Sequence, residues 1–179
     1  MRIISGIHKG RQFSPDKKFL ARPTTDIAKE GLFNILNNHI YYDEISVLDL
    51  FSGTGSIGFE FASRGCNNVT SIELNPNHHY FIKKTADTLK LENFKAIKAN
   101  VFSYLKNCYE KYDIIFADPP YESKDYQLIP QLVFEKQLLK ENGWLIIEHP
   151  IAVKFPNFPQ LFDKRNYSKV NFSFFKTVS

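Results

Sequence analysis

The 179 residues are enough for one domain with a real core, and their 43% apolar and 23% charged content excludes wholesale disorder. No stretch approaches the roughly 20 apolar residues of a membrane helix, and the N-terminus, MRIISGIHKGRQF, lacks the apolar run of a secretory signal, so a cytoplasmic protein with no membrane partner is expected. The net charge of +4 is concentrated: residues 1–22 hold Arg2, Lys9, Arg11, Lys17, Lys18 and Arg22 against Asp16 alone, a sum of +5 that leaves −1 for the rest.

Along the chain, residues 1–22 read as a short hairpin, RIISG then GRQF, turned around Gly6 to Gly10. A basic arm on a nearly neutral body suits a polyanionic partner, with Arg2, Lys9, Arg11 and Arg22 as candidate phosphate contacts. Charge alone fits a solvated hairpin equally well. Pro23 introduces the helical segment TTDIAKEGLFNILNN, with N-cap oxygens on Thr24, Thr25 and Asp26 and apolar spacing at Ala28, Leu32, Ile35 and Leu36. The expected division is therefore an arm over 1–22 and the main domain over 23–179.

From residue 45 the pattern alternates. ISVLDL, VTSIE, FKAIKA, YDIIFA and GWLIIEH read as strands; SIGFEFASR, NPNHHYFIKKTADTLKL, VFSYLKN and YQLIPQLVFEKQLL read as helices between them. Gly65 suits the end of the first of these helices and Pro76 the first turn of the second. Strands this apolar, alternating with helices, imply a parallel sheet covered on both faces. Phe162 to Tyr167 and Val170 to Lys176 have no helix between them and should pair antiparallel. The fold class is α/β, a doubly wound sheet closed by an antiparallel last strand. Ligands of such sheets bind beyond the carboxyl ends of the strands, which gathers Asp49 to Gly55, Glu73, Asn100 and Asp118 to Tyr121 around one crevice.

The stretch VLDLFSGTGSIG carries glycines at G-x-G-x-x-G spacing after a strand. Glu73 ends the next strand, 18 residues beyond Gly55, where it can accept both hydroxyls of a ribose. A dinucleotide would fit so far. Asp49 argues against it, because two like charges ~4 Å apart in a partly buried site repel by about 4 kcal/mol at an effective dielectric of 20. Phe51 and Ser52 also separate the strand from Gly53, unlike the dinucleotide turn. A ligand with a ribose and a cation but no phosphate is favoured, and S-adenosylmethionine is such a ligand. In KANVF, Asn100 faces the adenine with its amide oxygen and Val101 with its backbone N–H. Asn100 can equally cap the helix VFSYLKN, and both roles are compatible.

The fourth strand ends IIFADPPYE. Asp118 and Pro119 each precede a proline and are driven into an extended path. An exocyclic amine is a poor nucleophile because its lone pair is delocalised into the base. The Asp118 carboxylate and the Pro119 carbonyl can hold its two hydrogens and aim the lone pair at a methyl group, while Tyr121 stacks on the base, worth ~1–3 kcal/mol. The base must leave its stack to reach this pocket. Transfer from a sulfonium then needs positioning and electrostatics, with no metal.

In their order and spacing, RIISGIHKGRQF, RPTTDIAKEGLFNIL, VLDLFSGTGSIGFEFASRG and IIFADPPY resemble the bacterial small-subunit (16S) ribosomal RNA guanine-N2 methyltransferase family. The resemblance runs through nearly the whole chain; the first two segments point to this family, the last two only to amino-methyltransferases. It implies a seven-stranded Rossmann-like class I methyltransferase sheet with helices on both faces and a small N-terminal extension. It also implies N2-methylguanine in ribosomal RNA as the product, with the RNA met within a small-subunit particle or assembly intermediate. It assigns cofactor roles to Asp49, Phe51, Gly53, Gly55 and Glu73, and catalytic roles to Asp118, Pro119 and Tyr121 within a DPPY motif completed by Pro120. Asn100 stands where the family usually has Asp, and Ser168 where it usually has Gly.

The other candidates are blander. Cys66 and Cys108 lack metal-ligand spacing and read as two small buried hydrophobes. His78 and His79 point about 100° apart on a helix and read as exposed. His149, after Glu148 at the mouth of the fifth strand, is near enough to touch substrate, although amine methylation requires no histidine. A DNA adenine-N6 methyltransferase shares the DPPY chemistry, and a non-catalytic RNA-binding module on the same fold is the rival of another class.

Overall fold

The computed structural model describes residues 1–14, 25–167 and 170–177. Among the described residues five α-helices and seven strands follow in the order α1 (Asp26–Leu36), β1 (Ser46–Leu50), α2 (Ser56–Ser63), β2 (Asn68–Glu73), α3 (Pro76–Leu89), β3 (Phe94–Lys98), α4 (Val101–Asn107), β4 (Tyr112–Ala117), α5 (Leu128–Glu135), β5 (Leu139–His149), β6 (Leu161–Tyr167) and β7 (Val170–Lys176). The helix starts are chemically marked. Thr25 accepts from the Ala28 N–H at 3.3 Å, Asn75 from Asn77 at 2.9 Å ahead of Pro76, and Asn100 from Ser103 at 3.0 Å.

The sheet order is β3-β2-β1-β4-β5-β7-β6. β1 to β5 run parallel, and β7 inserts antiparallel between β5 and β6. Alternate residues of each strand bury against different layers, which is why the central strands are apolar throughout. Val47, Ile114, Phe116, Ile146 and Phe172 share one cluster with Leu32, Phe33, Phe59 and Phe61 of α1 and α2. Leu48, Leu50, Ile115, Leu145 and Ile147 share the other with Leu105 of α4 and Ile129 and Val133 of α5. Cys66 and Cys108 are buried and free.

Two expectations need correction. The last helical segment does not reach residue 139: α5 stops at Glu135, and Leu139 already belongs to β5. Gln137 takes a left-handed φ of 52°, and the Leu138 N–H returns to the Val133 carbonyl at 3.0 Å, closing the helix without a glycine. His78 and His79 are also not exposed. Both are partly buried; His78 Nδ1 lies 3.8 Å from Glu73 Oε1, and His79 Nε2 lies 3.3 Å from the Ala96 carbonyl.

The N-terminal hairpin forms as the glycines require, through Ile3 N–H to Arg11 O at 3.0 Å and Gly10 N–H to Ile3 O at 2.9 Å. It lies along α2. Gly6, at φ 81°, comes so close that a Cβ there would fall 1.8 Å from the Ser63 carbonyl oxygen, so no other residue fits. A buried ionic group fixes the hairpin. Glu60, fully buried, accepts from the Ile4 N–H at 2.8 Å, the Ser5 N–H at 2.9 Å and Arg64 Nε at 3.0 Å. Lys29, also buried, donates to the Arg2 carbonyl and to Ser56 Oγ, and its Nζ stands 3.9 Å from Glu60 Oε2. Burial lowers the Lys29 pKa, and the Glu60 charge opposes that shift.

Candidate active site

The crevice is built at the carboxyl ends of β2, β1, β4 and β5. After Leu50 the chain turns through Phe51 (φ 58°), Gly53 (φ 53°) and Gly55 (φ 74°) into α2. The turn stays tied to its neighbours by Ser52 N–H to Ile72 O at 3.1 Å and Asp118 N–H to Leu50 O at 3.3 Å. Glu73 spans the loops beside it, with Oε2 accepting from the Gly53 N–H at 2.8 Å and Oε1 from the Asn75 N–H at 2.7 Å.

Asp49 lies beneath this turn, 2% exposed. Its Oδ2 is 3.3 Å from Ser71 Oγ, which in turn is 2.6 Å from Ser52 Oγ. Burial pushes the Asp49 carboxyl up to about 7, against hydrogen bonds from Ser52, Ser71 and the Gly58 N–H and with some help from the Glu73 charge. On sequence alone Asp49 is a fixed negative charge. In the structure its burial favours the protonated form more than exposure would.

Asn100 uses its amide oxygen as the α4 cap, as one of its two expected roles requires. Val101 follows it, buried at the first position of α4. Phe51 and Phe102 meet edge to face with centroids 5.9 Å apart, and Leu74, next to Glu73, is 60% exposed. No sequence motif singles out Phe102 as the neighbour of Phe51.

Across the crevice, Asp118 is partly buried and Tyr121 is 57% exposed. Burial first, then the charges of Glu148 and Asp49, hold the Asp118 carboxyl well above the usual range. The Pro119 carbonyl already has a neighbour. The hydroxyl of Tyr126, a residue that sequence reasoning misses, reaches the Pro119 carbonyl at 3.4 Å and that of Pro120 at 3.3 Å. Burial pushes the Tyr126 hydroxyl up to about 12, which keeps it a donor.

His149 is not at the surface of the crevice. It is 1% exposed, with Nδ1 2.8 Å from the Pro150 carbonyl and Nε2 2.7 Å from Ser173 Oγ, and burial lowers its pKa. Successive strand residues point to opposite faces, so His149 turns away from the face that Glu148 occupies.

The basic arm residues do not converge on the crevice. Arg2 Nε lies 3.4 Å from Asp26 and its Nη2 3.4 Å from Glu30. Arg11 and Lys9 are exposed. Ile7 and His8 bond Ser63 at the far end of α2 from the glycine turn, so Lys9 sits roughly 10 Å down the helix from the cofactor side. Arg22 and Ser168 lie outside the described residues.

The donor set fits a nucleoside with a cationic tail better than a dinucleotide. The Gly53 N–H that a phosphate would need is given to Glu73, and a buried acid stands behind the turn. Among the described residues no group of three or more His, Cys, Asp or Glu is arranged to hold a metal ion, and no helix is long and apolar enough to cross a membrane.

The family model described as conserved hypothetical protein 95 matches residues 1–176. The ribosomal RNA small subunit methyltransferase D of Buchnera aphidicola subsp. Baizongia pistaciae is 31% identical over 183 residues, covering 100% of this chain and 93% of its own. The protein of the same name from Escherichia coli K12 is 36% identical over 155 residues, 86% of this chain and 74% of its own. Among solved structures, a hypothetical protein of Thermus thermophilus superposes with a TM-score of 0.87 at 23% identity, covering 99% of each chain. The T. thermophilus 16S rRNA N2 methyltransferase RsmC, in complex with AdoMet and guanosine, gives 0.70 at 18% identity over 89% of this chain and 45% of its own. The seven-stranded sheet with its antiparallel last strand is the Rossmann-like methyltransferase fold.

Proposed function

The chain belongs to the family of conserved hypothetical protein 95 and of the ribosomal RNA small subunit methyltransferase D proteins, and from that premise we propose that it methylates the exocyclic N2 of a guanine in small-subunit ribosomal RNA. The protein is an S-adenosylmethionine-dependent methyltransferase. The observation that carries the finer reading is the Asp118–Pro119–Pro120–Tyr121 turn, held against the glycine turn by the Asp118 N–H to Leu50 O bond.

When bound, S-adenosylmethionine supplies an electrophilic methyl on a sulfonium. Glu73 accepts from the ribose, Asn100 and Val101 meet the adenine beside Phe102, and Asp49, Phe51, Gly53 and Gly55 shape and balance the cationic end. Asp118 and the Pro119 carbonyl hold the two N2 hydrogens, and Tyr121 stacks on the displaced base. The bound cofactor would give its methyl to N2 and depart as the demethylated thioether, and the proton that N2 then sheds would pass to the Asp118 carboxylate or to water. Residues 1–22 act as an RNA-contacting arm on the methyltransferase domain of residues 23–179, in the cytoplasm, on ribosomal RNA in a small-subunit particle or assembly intermediate.

The test is direct. Unmodified small-subunit RNA, naked and as particles, is incubated with methyl-labelled cofactor and the modified base is mapped. Labelled N2-methylguanine is expected; label on adenine N6, or in DNA only, would reject the reading.

A further inference from the structure

Asp118 has a buried neighbour on the acceptor side. β4 and β5 pair in register through Ala117 and Ile147, so Asp118 and Glu148 are the next residues on adjacent parallel strands. Phe116 and Ile146, two residues earlier, bury in the same cluster, and side chains alternate along a strand. The side chains of Asp118 and Glu148 therefore return to one face, side by side. Glu148 is 4% exposed. The charge of Glu148 raises the pKa of both Asp118 and Tyr121. In the sheet order β1-β4-β5, it stands on the side of Asp118 away from the glycine turn.

Resting on the guanine-N2 reading, we infer that Glu148 is the residue that selects guanine, by accepting its N1–H while Asp118 accepts from N2. Guanine presents N1–H and the N2 amine as adjacent donors. With N2 turned toward the cofactor side, N1 falls on the β5 side, where Glu148 stands. Two carboxylates on neighbouring strands match two adjacent donors. Adenine presents a donor at N6 beside a lone pair at N1, and a carboxylate facing that lone pair repels it and gains no hydrogen bond. A site built to bond a donor rejects the analogue that lacks it far more strongly than an apolar pocket rejects a change of size.

The test uses the base analogue 2-aminopurine, which keeps the amine at position 2 but has a bare lone pair at N1. Small-subunit RNA is rebuilt by splinted ligation with guanine or 2-aminopurine at the mapped position, in whichever form the parent methylates. The parent should favour guanine by about 100-fold or more. Glu148→Gln, whose amide can donate to N1 or accept from it, should lose ~10–100-fold on guanine, as removal of a charge-assisted hydrogen bond does, and its preference should fall below ~10-fold. Cofactor binding by thermal shift should be retained, which reports that the variant is folded. A preference unchanged in Glu148→Gln overturns the inference. So does a parent that treats the two bases alike, a measurement that stands even where the variant does not fold. Failure of the guanine-N2 reading would be seen earlier and separately, as no N2-methylguanine in unaltered RNA.

Discussion

Gly58 of α2 packs directly against the carboxyl of Asp49: a Cβ at this glycine would stand 2.9 Å from Asp49 Oδ2 and 3.0 Å from the Phe94 ring. The third glycine of the motif thus serves the approach of helix to sheet, and its own N–H supports the carboxyl it crowds. Gly58→Ala gains ~1 kcal/mol of helix propensity but overpacks a buried contact, typically costing ~1–3 kcal/mol, so a net loss of stability is expected. Urea unfolding measures it. A midpoint at or above that of the parent would remove Gly58 from the packing of this site.

The carboxyl beneath it makes cofactor affinity depend on pH. Burial raises Asp49 from 3.8 to about 7, so the folded protein keeps a proton that the unfolded chain has released. Its contribution to the stability of the free protein is full below pH ~4 and is lost as pH rises through 7. Binding of a cation has the opposite sign, because it favours the ionised form. Affinity for S-adenosylmethionine should climb between about pH 6 and 8 with proton release, and Asp49→Asn should bind more weakly with a flatter profile. Calorimetry in two buffers of different ionisation enthalpy detects the proton; identical profiles for parent and variant would contradict the assignment.

How much of this is legible in the sequence depends on the kind of signal. The strands around the site show as apolar runs because both their faces are buried, and the caps at Thr25 and Asn100 show as short polar side chains before a helical period. The end of α5 is hidden because Gln137 takes the conformation that glycine usually advertises. Lys29 and Glu60 are hidden more deeply, since a charged residue on a helix reads as solvated until its partners are known. Glu148 carries a usable signal: like Glu73, it is an acid at the carboxyl end of a strand. His149, one residue on, draws attention by its chemistry, yet strand alternation sends it to the other face.

The arm gives a graded prediction. Arg2 is already offset by Asp26 and Glu30, whereas Lys9 and Arg11 lie exposed on the hairpin. If they contact phosphates, Lys9→Gln and Arg11→Gln should each reduce the slope of log affinity against log salt by roughly 0.7–0.9, and Arg2→Gln by less. Cofactor affinity should not change. Slopes equal to the parent's in all three variants would reduce the arm to a solvated hairpin.

Tyr126 tests the DPPY turn without touching substrate. Its hydroxyl reaches the Pro119 and Pro120 carbonyls at 3.4 and 3.3 Å, and its ring stays packed when the hydroxyl is removed. Tyr126→Phe should slow single-turnover methylation about 2- to 10-fold, the equivalent of ~0.5–1.5 kcal/mol for a neutral hydrogen bond, and leave cofactor affinity unaltered. A rate equal to the parent's would show that the prolines alone hold the turn.

Asp118 is the most exposed to refutation, because its two properties pull apart. Its carboxyl sits beside Glu148 and under the field of Asp49, and burial with these charges keeps it well above the usual range. Replacing it with a neutral group relieves that repulsion, so Asp118→Asn should leave the empty protein at least as stable near pH 7 as the parent. The same change should slow chemistry. Asp118→Ala, still binding cofactor and RNA, should transfer methyl on the order of 10²–10³ more slowly, as expected for one strong transition-state hydrogen bond. Asp118→Asn retains one acceptor oxygen and should lie between alanine and parent if acceptance is what the amine needs, and level with alanine if the charge is essential. The ionised carboxyl is the better acceptor, so the parent's single-turnover rate should rise with pH through the elevated titration of Asp118, and the asparagine variant should lose that rise. An alanine variant that turns over at the parent's rate would take Asp118 out of the mechanism, and with it the reason for placing the methylated amine at this turn.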